Sequence, residues 1–345
     1  LCLLAVLVCV APARAGDEPG DGWVHLVVLH TNDVHGNLLP LTPAQAQVDA
    51  TGDVGGFAAR AAFVKTERAA AKAAGAEVLL LDGGDVWRGT PEGDLTRGDL
   101  VVEAFGRLGY DAVAFGNHEL DMGVSNAARL AKAAPFPWIS ANVIETATGL
   151  PPAWLRTHVI VERGGLRIGI VGMTPPETAS IVMGADRMGL EFLSAAAAAA
   201  AQARALEGKT DVLLFLTHLG PEKDVSVLAA APRARLVVGG HSHTRLSKPI
   251  LAGPDKGAWI VQAGTACVVA GRVRLKVSRA TKEVVDLAFT VKKRCKSKDP
   301  HAECQVARRA AEWQQSKRGG HHRDCAWGDG VPHAVQGFPQ RQETY

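Results

Sequence analysis

Gly116-Asn117-His118-Glu119-Leu120-Asp121 follows a short apolar run at 112–115. Such a run predicts a buried strand, so the hexapeptide forms the turn at its carboxyl end. An amide, an imidazole and two carboxylates are poor core material, because a buried polar group without a partner costs about 1–3 kcal/mol. The stretch therefore indicates either a capped polar turn or part of a functional site.

Polar turns of the same kind follow several other predicted strands. The turns are Thr31-Asn32-Asp33-Val34-His35-Gly36 after 23–30, Asp82-Gly83-Gly84-Asp85 after 78–81, Thr217-His218 after 212–216, and Gly239-Gly240-His241-Ser242-His243 after 236–238. Helical spacing of apolar residues predicts helices at 56–74, 99–108, 124–133 and 195–206, with Ser194 as an N-cap. The alternation of strands and helices favours an α/β fold.

The second half of the chain contains further strand patterns. They lie at 138–142, in a hairpin at 159–172, and in a predicted closing antiparallel set at 259–262, 272–277 and 284–291. We predict one catalytic domain at 22–292. The basic segment 293–345 has little periodicity, and we expect most of it to be disordered.

Composition limits the possible functions. The 345 residues are 47% hydrophobic and 21% charged, with a formal charge of +3. These values are typical of a globular protein with a sizeable core. The chain has no basic stripe interleaved with aromatic residues, which argues against a nucleic-acid polymer as partner.

The first residues resemble a secretory signal. The apolar run 3–10 is too short to span a bilayer, and Ala13-Arg14-Ala15 offers small residues at the positions that a signal peptidase reads. We expect a signal peptide at 1–15 and a periplasmic or secreted product with no membrane span. The alternative is a buried amino-terminal strand.

Export would permit disulfides among the four cysteines that remain after cleavage. These are Cys267, Cys295, Cys304 and Cys325. Four cysteines allow three pairings, and the Cys295–Cys304 pair closes the shortest loop. We favour that pair.

The polar turns together offer carboxylate, amide and imidazole ligands. The candidates are Asp33, His35, Asp85, Asn117, His118, His218, His241 and His243. Ligands of open α/β sheets bind beyond the carboxyl ends of the strands, so these groups would converge there. The donor set suits a pair of divalent cations such as Mn, Zn, Fe, Mg or Co. Taken singly, His35, His218, His241 and His243 are each better explained as core or turn residues, but that explanation does not account for all four together.

The ordered blocks resemble the calcineurin-like metallophosphoesterases, and within them the secreted 5′-nucleotidase, UDP-sugar hydrolase and 2′,3′-cyclic phosphodiesterase group. The likeness extends from about residue 24 to about residue 291, and it includes Trp87-Arg88-Gly89-Thr90-Pro91-Glu92. The resemblance implies a four-layer α/β/β/α sandwich. It also implies hydrolysis of a phosphate ester by in-line attack of metal-bound hydroxide.

The resemblance also implies a role for each candidate residue. One cation would bind Asp33, His35, Asp85 and His243, and the other Asp85, Asn117, His218 and His241, with Asp85 as the bridge. His118 would act beside the phosphate as the catalytic residue, and Asp121 would orient its imidazole.

Several neighbouring residues receive lesser roles. We interpret Asp82 as a turn former, and Thr31 and Asn32 as side chains that hold their own turn. Arg88 stands where the family has Gln; we favour a solvated surface role over a substrate contact. Glu119 receives no role.

The expected function is a secreted enzyme that hydrolyses nucleotides or related small phosphate esters. The second domain that binds the nucleoside in the nucleotidase group has no counterpart in this chain, which indicates either a truncated or frame-shifted gene or a stand-alone enzyme. Two alternatives stay open: a thiosulfohydrolase-like enzyme on the same scaffold, or an inactive metal-binding protein. The sequence does not determine the exact substrate, the physiological metal or the oligomeric state.

Overall fold

The computed structural model describes residues 22–48, 52–253 and 256–293. The predicted signal peptide at 1–15 and the segment 294–345 lie outside the described residues. The favoured Cys295–Cys304 pair and Cys325 also lie outside them, whereas Cys267 is a buried thiol. These predictions therefore stay predictions.

The strands and helices alternate along the chain. In chain order the strands are β1 Trp23–Thr31, β2 Glu77–Asp82, β3 Ala112–Ala114, β4 Trp138–Ile139, β5 Val143–Glu145, β6 His158–Arg163, β7 Leu166–Met173, β8 Leu190–Phe192, β9 Val212–Thr217, β10 Leu236–Val238, β11 Ile250–Ala252, β12 Ala258–Val261, β13 Val269–Ser278 and β14 Val284–Lys293. The helices are α1 Gly56–Ala73, α2 Pro91–Leu95, α3 Asp99–Leu108, α4 Gly123–Ala133, α5 Thr178–Ile181, α6 Ala195–Ala205 and α7 Pro221–Ala230. A 3-10 turn covers His118–Leu120.

Most described strands belong to two six-stranded mixed sheets. The first sheet has the order β14-β13-β1-β2-β3-β4, and the second has the order β11-β12-β10-β9-β7-β6. β1 to β4 run parallel, as do β7, β9, β10 and β12. Parallel strands bring their carboxyl ends to one edge, so each sheet collects the loops that follow its strands at a single edge.

The apolar residues form three successive layers of packing. One cluster lies between α1, α3, α4 and the outer face of the first sheet. A second, including Leu26, Leu81, Ile170 and Leu216, lies between the two sheets. A third packs α6 and α7 against the outer face of the second sheet. Helix, sheet, sheet and helix follow one another, which confirms the predicted four-layer α/β/β/α sandwich.

The predicted closing set is wrong in one member. β13 and β14 do form an antiparallel pair, and β13 pairs antiparallel with β1. However, β12 runs parallel to β10 in the second sheet. The apolar pattern of 259–262 identifies a strand correctly, but the pattern contains no information on which neighbour the strand will pair with.

Within the described residues, no helix is both long enough and apolar enough to cross a membrane.

Candidate metal centre

The predicted ligands lie at the carboxyl ends of strands from both sheets. Asp33 and His35 follow β1, Asp85 follows β2, and Asn117 with His118 follows β3 in the first sheet. His218 follows β9, while His241 and His243 follow β10 in the second sheet. The loops meet across the gap between the two sheets and form two groups of potential metal ligands.

The first group contains Asp33, His35 and His243, whose ligand atoms all lie within 4.8 Å of one another. The Nε2 atoms of His35 and His243 are 3.0 Å apart. Asp33 Oδ1 lies 3.4 Å from Nε2 of His243 and 3.9 Å from Nε2 of His35. Imidazole nitrogens and a carboxylate oxygen that face one common point suit a divalent cation.

The second group contains Asp85, His218 and His241, again with ligand atoms within 4.8 Å of one another. Nε2 of His218 lies 2.8 Å from Asp85 Oδ2. Asn117 is beside this group, and its buried Oδ1 atom has no hydrogen-bond partner among the described residues. Because an unpaired buried amide oxygen is costly, it fits a cation ligand better than a structural contact.

The two groups are adjacent. Nε2 of His218 lies 3.9 Å from Asp33 Oδ1, an oxygen of the first group. Asp85 accepts a hydrogen bond from the backbone N–H of His118 at 2.9 Å through Oδ1, while its Oδ2 faces His218. The carboxylate is thus fixed from two sides, as the predicted bridging role requires.

Backbone carbonyls orient two of the imidazoles. Nδ1 of His35 lies 2.9 Å from the carbonyl oxygen of Arg88, and Nδ1 of His218 lies 2.6 Å from that of Gly83. A carbonyl can only accept, so each Nδ1 carries a proton, and Nε2 is the nitrogen that would bind a cation once it has given up its own proton. Histidine ligands of metals are usually oriented in this way.

Five of the seven predicted ligands share an uncommon backbone conformation. The φ angles of Asp33, His35, Asp85, His241 and His243 are 50°, 48°, 56°, 81° and 54°. Positive φ is disfavoured for residues with a Cβ atom, although Asp and His tolerate it better than most. Strain of this kind concentrates at functional turns.

Charges inside the centre shift the pKa values of its groups. Burial alone would lower the pKa of His218, but the negative Asp85 outweighs burial and raises it to about 10. Burial alone would raise the pKa of Asp85, but the positive His218 lowers it below its usual range. Asp85 therefore stays a carboxylate, the form that binds cations.

His118 and Asp121 form a pair beside the two groups. Nδ1 of His118 lies 2.7 Å from Asp121 Oδ2, and this hydrogen bond raises the pKa of His118 to about 9. The His118 side chain is 41% exposed, and its ring centroid is 5.4 Å from that of His35. The imidazole is thus next to the first group and open to solvent.

Arg88 is not a purely solvated surface residue. Its Nε lies 3.3 Å from Asp121 Oδ2, and its guanidinium also pairs with Asp94. The side chain is 39% exposed. The expected surface role is therefore incomplete, because Arg88 also helps to hold the carboxylate that contacts His118.

Glu119 has a structural role that the sequence analysis did not assign. Its buried carboxylate accepts hydrogen bonds from the backbone N–H groups of Asp85, Val86 and Gly116, at 3.1, 2.8 and 2.7 Å. Burial, with a contribution from the negative Asp85, raises the pKa of Glu119 to about 8. Glu119 joins the loop after β2 to the loop after β3. A carboxylate two residues beyond Asn117 was the only sequence signal for it.

The interpretation of Asp82 as a turn former is confirmed, whereas the turn role of Thr31 needs correction. Asp82 is fully buried and accepts hydrogen bonds from Thr31 Oγ1 at 2.5 Å and from the backbone N–H of Gly84 at 2.9 Å. Burial raises the pKa of Asp82 to about 7. Thr31 Oγ1 also lies 2.7 Å from the hydroxyl of Tyr110. Asp82 therefore closes its turn through the N–H of Gly84, two residues further on, and its bond to Thr31 also connects two strands beneath the ligand loops. Thr31 bonds to side chains of other elements and not to the backbone of its own turn.

Asn32 does bond to backbone, as expected, but to a distant loop. Its Nδ2 donates to the carbonyl of Gly264 at 2.5 Å, and its Oδ1 accepts from the N–H of Ala263 at 2.7 Å. The carbonyl of Asp33 accepts from the N–H of Ala266 at 2.8 Å. The loop before β13 therefore supports the loop that carries Asp33.

Glu177 is a further carboxylate beside the centre, and no sequence motif pointed to it. Its Oε1 lies 3.7 Å from Nε2 of His241, and it forms an ion pair with Lys223. It directly precedes α5, far in sequence from every ligand.

Comparisons with known proteins agree with this geometry. A family model described as calcineurin-like phosphoesterase matches residues 26–245. Protein UshA of Yersinia enterocolitica is 29% identical over 332 residues, covering 87% of this chain and 58% of that protein. The 5′-nucleotidase of Vibrio cholerae is 32% identical over 254 residues, covering 70% of this chain and 44% of that protein. The chain thus spans about half the length of these relatives.

A solved structure shows the same fold. The 5′-nucleotidase precursor of Thermus thermophilus superimposes with a TM-score of 0.72 at 27% sequence identity. The match covers 86% of this chain and 59% of that one.

Proposed function

This chain belongs to the calcineurin-like phosphoesterase family, and we propose that it hydrolyses nucleotides or related small phosphate esters with two divalent cations. The observation that carries the proposal is the adjacency of the two ligand groups, with the unpaired Asn117 Oδ1 beside the second. The nucleotide preference is supported by the likeness to 5′-nucleotidases, of which the chain matches about half.

We assign the ligands as the family pattern suggests. One cation would be held by Asp33, His35, Asp85 and His243, and the other by Asp85, Asn117, His218 and His241. Bound dications at such a site lower the pKa of water and offset the charge on phosphoryl oxygens. Fixed charges of this kind, aimed at the atoms where charge develops, make a large contribution to catalysis.

His118 is the proposed catalytic residue. The Asp121 carboxylate accepts a hydrogen bond from Nδ1–H of His118 at 2.7 Å, so that Nε2 is the nitrogen directed at substrate. From there it donates a hydrogen bond to a phosphoryl oxygen or a proton to the departing ester oxygen. Arg88 keeps Asp121 in position from the other side.

Export is also a proposal, supported by the apolar segment and the small residues at 1–15. Amino-terminal sequencing of the protein recovered from a periplasmic or culture fraction would test it. A mature chain starting near Gly16 is expected, and an unprocessed chain in the cytoplasm would contradict it.

The central test is a panel of substrates run with Mn²⁺. AMP, a 2′,3′-cyclic nucleotide, UDP-glucose and bis(p-nitrophenyl) phosphate should be assayed with the wild-type protein and with His118→Gln. We expect turnover of at least one phosphate ester, and a loss of kcat of about 10²–10⁴-fold in the variant. His158→Gln, on β6, is the matched histidine control and should keep wild-type activity.

The alternatives give different results in the same panel. Binding of two cations without turnover of any ester would favour an inactive metal-binding protein. A thiosulfate ester is assayed beside the four phosphate esters, and turnover of that compound alone would favour the thiosulfohydrolase alternative. Wild-type kcat in His118→Gln would exclude the proposed role of that residue.

A further inference from the structure

The outer nitrogens of the imidazoles around the centre contact acceptors. His35 and His218 use backbone carbonyls, and His118 uses the Asp121 carboxylate. For His241, Nε2 lies 3.7 Å from Oε1 of the Glu177 carboxylate. Each of these contacts sets the direction in which the opposite ring nitrogen points.

Glu177 also forms an ion pair with a lysine. Lys223 lies in the first turn of α7, and its ammonium group pairs with Glu177 Oε1. The two side chains are 50% and 29% exposed, so the pair lies at the rim of the centre. Lys223 thereby joins α7 to the loop between β7 and α5.

The same order of groups occurs around His118. There Arg88 contacts Asp121, and Asp121 contacts the His118 imidazole. At His241 the order is Lys223, Glu177, imidazole. The position of a carboxylate that is paired with an arginine or lysine is already restricted. Such a carboxylate therefore loses less side-chain entropy when it also bonds to an imidazole and orients it.

We propose that Glu177, held by Lys223, is a positioning residue that orients His241 as a ligand of the second cation. The inference rests on the metal centre of the proposed function. With Nε2–H directed at Glu177, Nδ1 would be the nitrogen left to bind the cation that Asp85 and His218 share. The hydrogen bond is complete when Nε2 and Oε1 approach to about 3 Å.

The test measures cation affinity and does not depend on turnover. Metal-free wild-type protein, Glu177→Ala, Glu177→Gln and Lys223→Met would be titrated with Co²⁺ and followed by calorimetry and visible absorption. Removal of an outer partner of a histidine ligand costs about 10–100-fold in metal affinity. We expect a loss of that size in Glu177→Ala for one of two binding events, with a changed Co²⁺ spectrum.

Graded variants separate positioning from a general structural effect. Glu177→Gln keeps an acceptor oxygen and should lose less affinity than Glu177→Ala. Lys223→Arg keeps the positive charge of the side chain and should retain most of the Co²⁺ affinity that Lys223→Met loses. Glu222→Ala is the matched control, since it removes an exposed carboxylate from the same turn of α7, and it should bind Co²⁺ like wild type.

The affected binding event must be the one that His241→Ala weakens, and the other event must be unchanged. Two wild-type affinities and an unchanged Co²⁺ spectrum in Glu177→Ala would overturn the inference and leave the proposed function intact. A wild-type protein that binds fewer than two Co²⁺ ions would overturn the proposed function itself. If Glu177→Ala does not fold, the comparison of Lys223→Met with Lys223→Arg decides.

Discussion

The Glu119 carboxylate accepts hydrogen bonds from backbone N–H groups on two ligand-bearing loops, at Asp85 and Val86 on one and at Gly116 on the other. All three donors sit where water is excluded. The carboxylate therefore fixes, at the scale of one residue, the distance between the loop that carries Asp85 and the loop that carries Asn117.

Glu119→Gln should destabilise the protein by about 1–3 kcal/mol, because the amide nitrogen cannot accept and at least one buried N–H loses its partner. Urea unfolding gives the stability, and Mn²⁺ titration should show weaker binding. Glu103→Gln, on the exposed side of α3, is the control and should change neither. Equal stability of Glu119→Gln and wild type would contradict this account.

His30 is a second buried residue whose chemistry the sequence did not reveal. It is fully buried on β1 beside Gly271 and Phe289, and neither ring nitrogen has a hydrogen-bond partner among the described residues. Burial lowers the pKa of His30 from 6.5 to about 3. Between those values the unfolded chain binds a proton that the folded protein does not.

Stability should therefore fall as the pH drops below 6.5, by about 1.4 kcal/mol per pH unit from His30 alone, or about 2 kcal/mol at pH 5. His30→Leu removes this titration. We expect the stability difference between His30→Leu and wild type to shift by that amount in favour of the variant between pH 7.5 and pH 5. Urea unfolding at both pH values measures it, and a constant difference would contradict the argument.

The candidate ligands could be predicted because Asp, Asn and His residues that directly follow an apolar strand pattern can be recognised in the sequence alone. The residues around them were harder to predict. Asp82, Glu119 and Glu177 act through partners that are distant in sequence, and an isolated carboxylate in a loop gives no sign of whether its partner is water or a buried N–H group.

At the scale of elements, Gly172 on β7 lets the two sheets approach closely. A Cβ atom at this position would lie 2.2 Å from the carbonyl oxygen of Ile139 and 2.3 Å from its carbonyl carbon. Ile139 belongs to β4 of the first sheet. The N–H of Ala141 also donates to the carbonyl of Gly172 at 2.8 Å, so backbone of the two sheets is in direct contact here.

Gly172→Ala should destabilise the fold by about 1–3 kcal/mol, because backbone atoms of β4 and β7 must move apart. Gly184→Ala is the control, since a Cβ atom there meets nothing within 4 Å, and it should change stability by less than about 0.5 kcal/mol. Thermal unfolding of both variants measures the difference. A Gly172→Ala protein as stable as Gly184→Ala would show that the sheets can relax freely.

Element types were predictable where the apolar pattern was long or the run was continuous. The predicted helix at 99–108 and strand at 236–238 have the same bounds in the structure. The short strands β5, β8 and β11 were not predicted. Three residues are too few to show a period, and β5 and β8 each contain a glutamate that interrupts the kind of apolar run by which 236–238 was recognised. The pairing of β12 with β10 depends on tertiary contacts that no local pattern records.

At the scale of the whole molecule, the proposed ligands are divided between the two sheets. Asp33, His35, Asp85 and Asn117 come from the first, and His218, His241 and His243 from the second. A bound cation would therefore link the sheets. The four-layer fold could be predicted through the family resemblance, whereas the mutual position of the sheets required the structure.

Metal removal should lower the thermal stability. A cation at 100 times its dissociation constant stabilises the folded state by about 2.7 kcal/mol per site. We expect Tm to fall by several degrees in excess EDTA and to recover with Mn²⁺, as measured by calorimetry. Asp85→Asn should respond much less, and an identical Tm of the wild type in EDTA and in Mn²⁺ would contradict the proposed centre.

The support of Asp33 by the loop before β13 has a consequence for synthesis on the ribosome. Asn32 and Asp33 bond to Ala263, Gly264 and Ala266, and β13 then pairs along the length of β1. In a nascent chain that ends before these residues, the loop that carries Asp33 lacks the hydrogen bonds that support it. Cation capture must then wait until the chain has been synthesised through β13, so a ribosome stalled earlier would hold a polypeptide whose Asp33 loop lacks these hydrogen bonds.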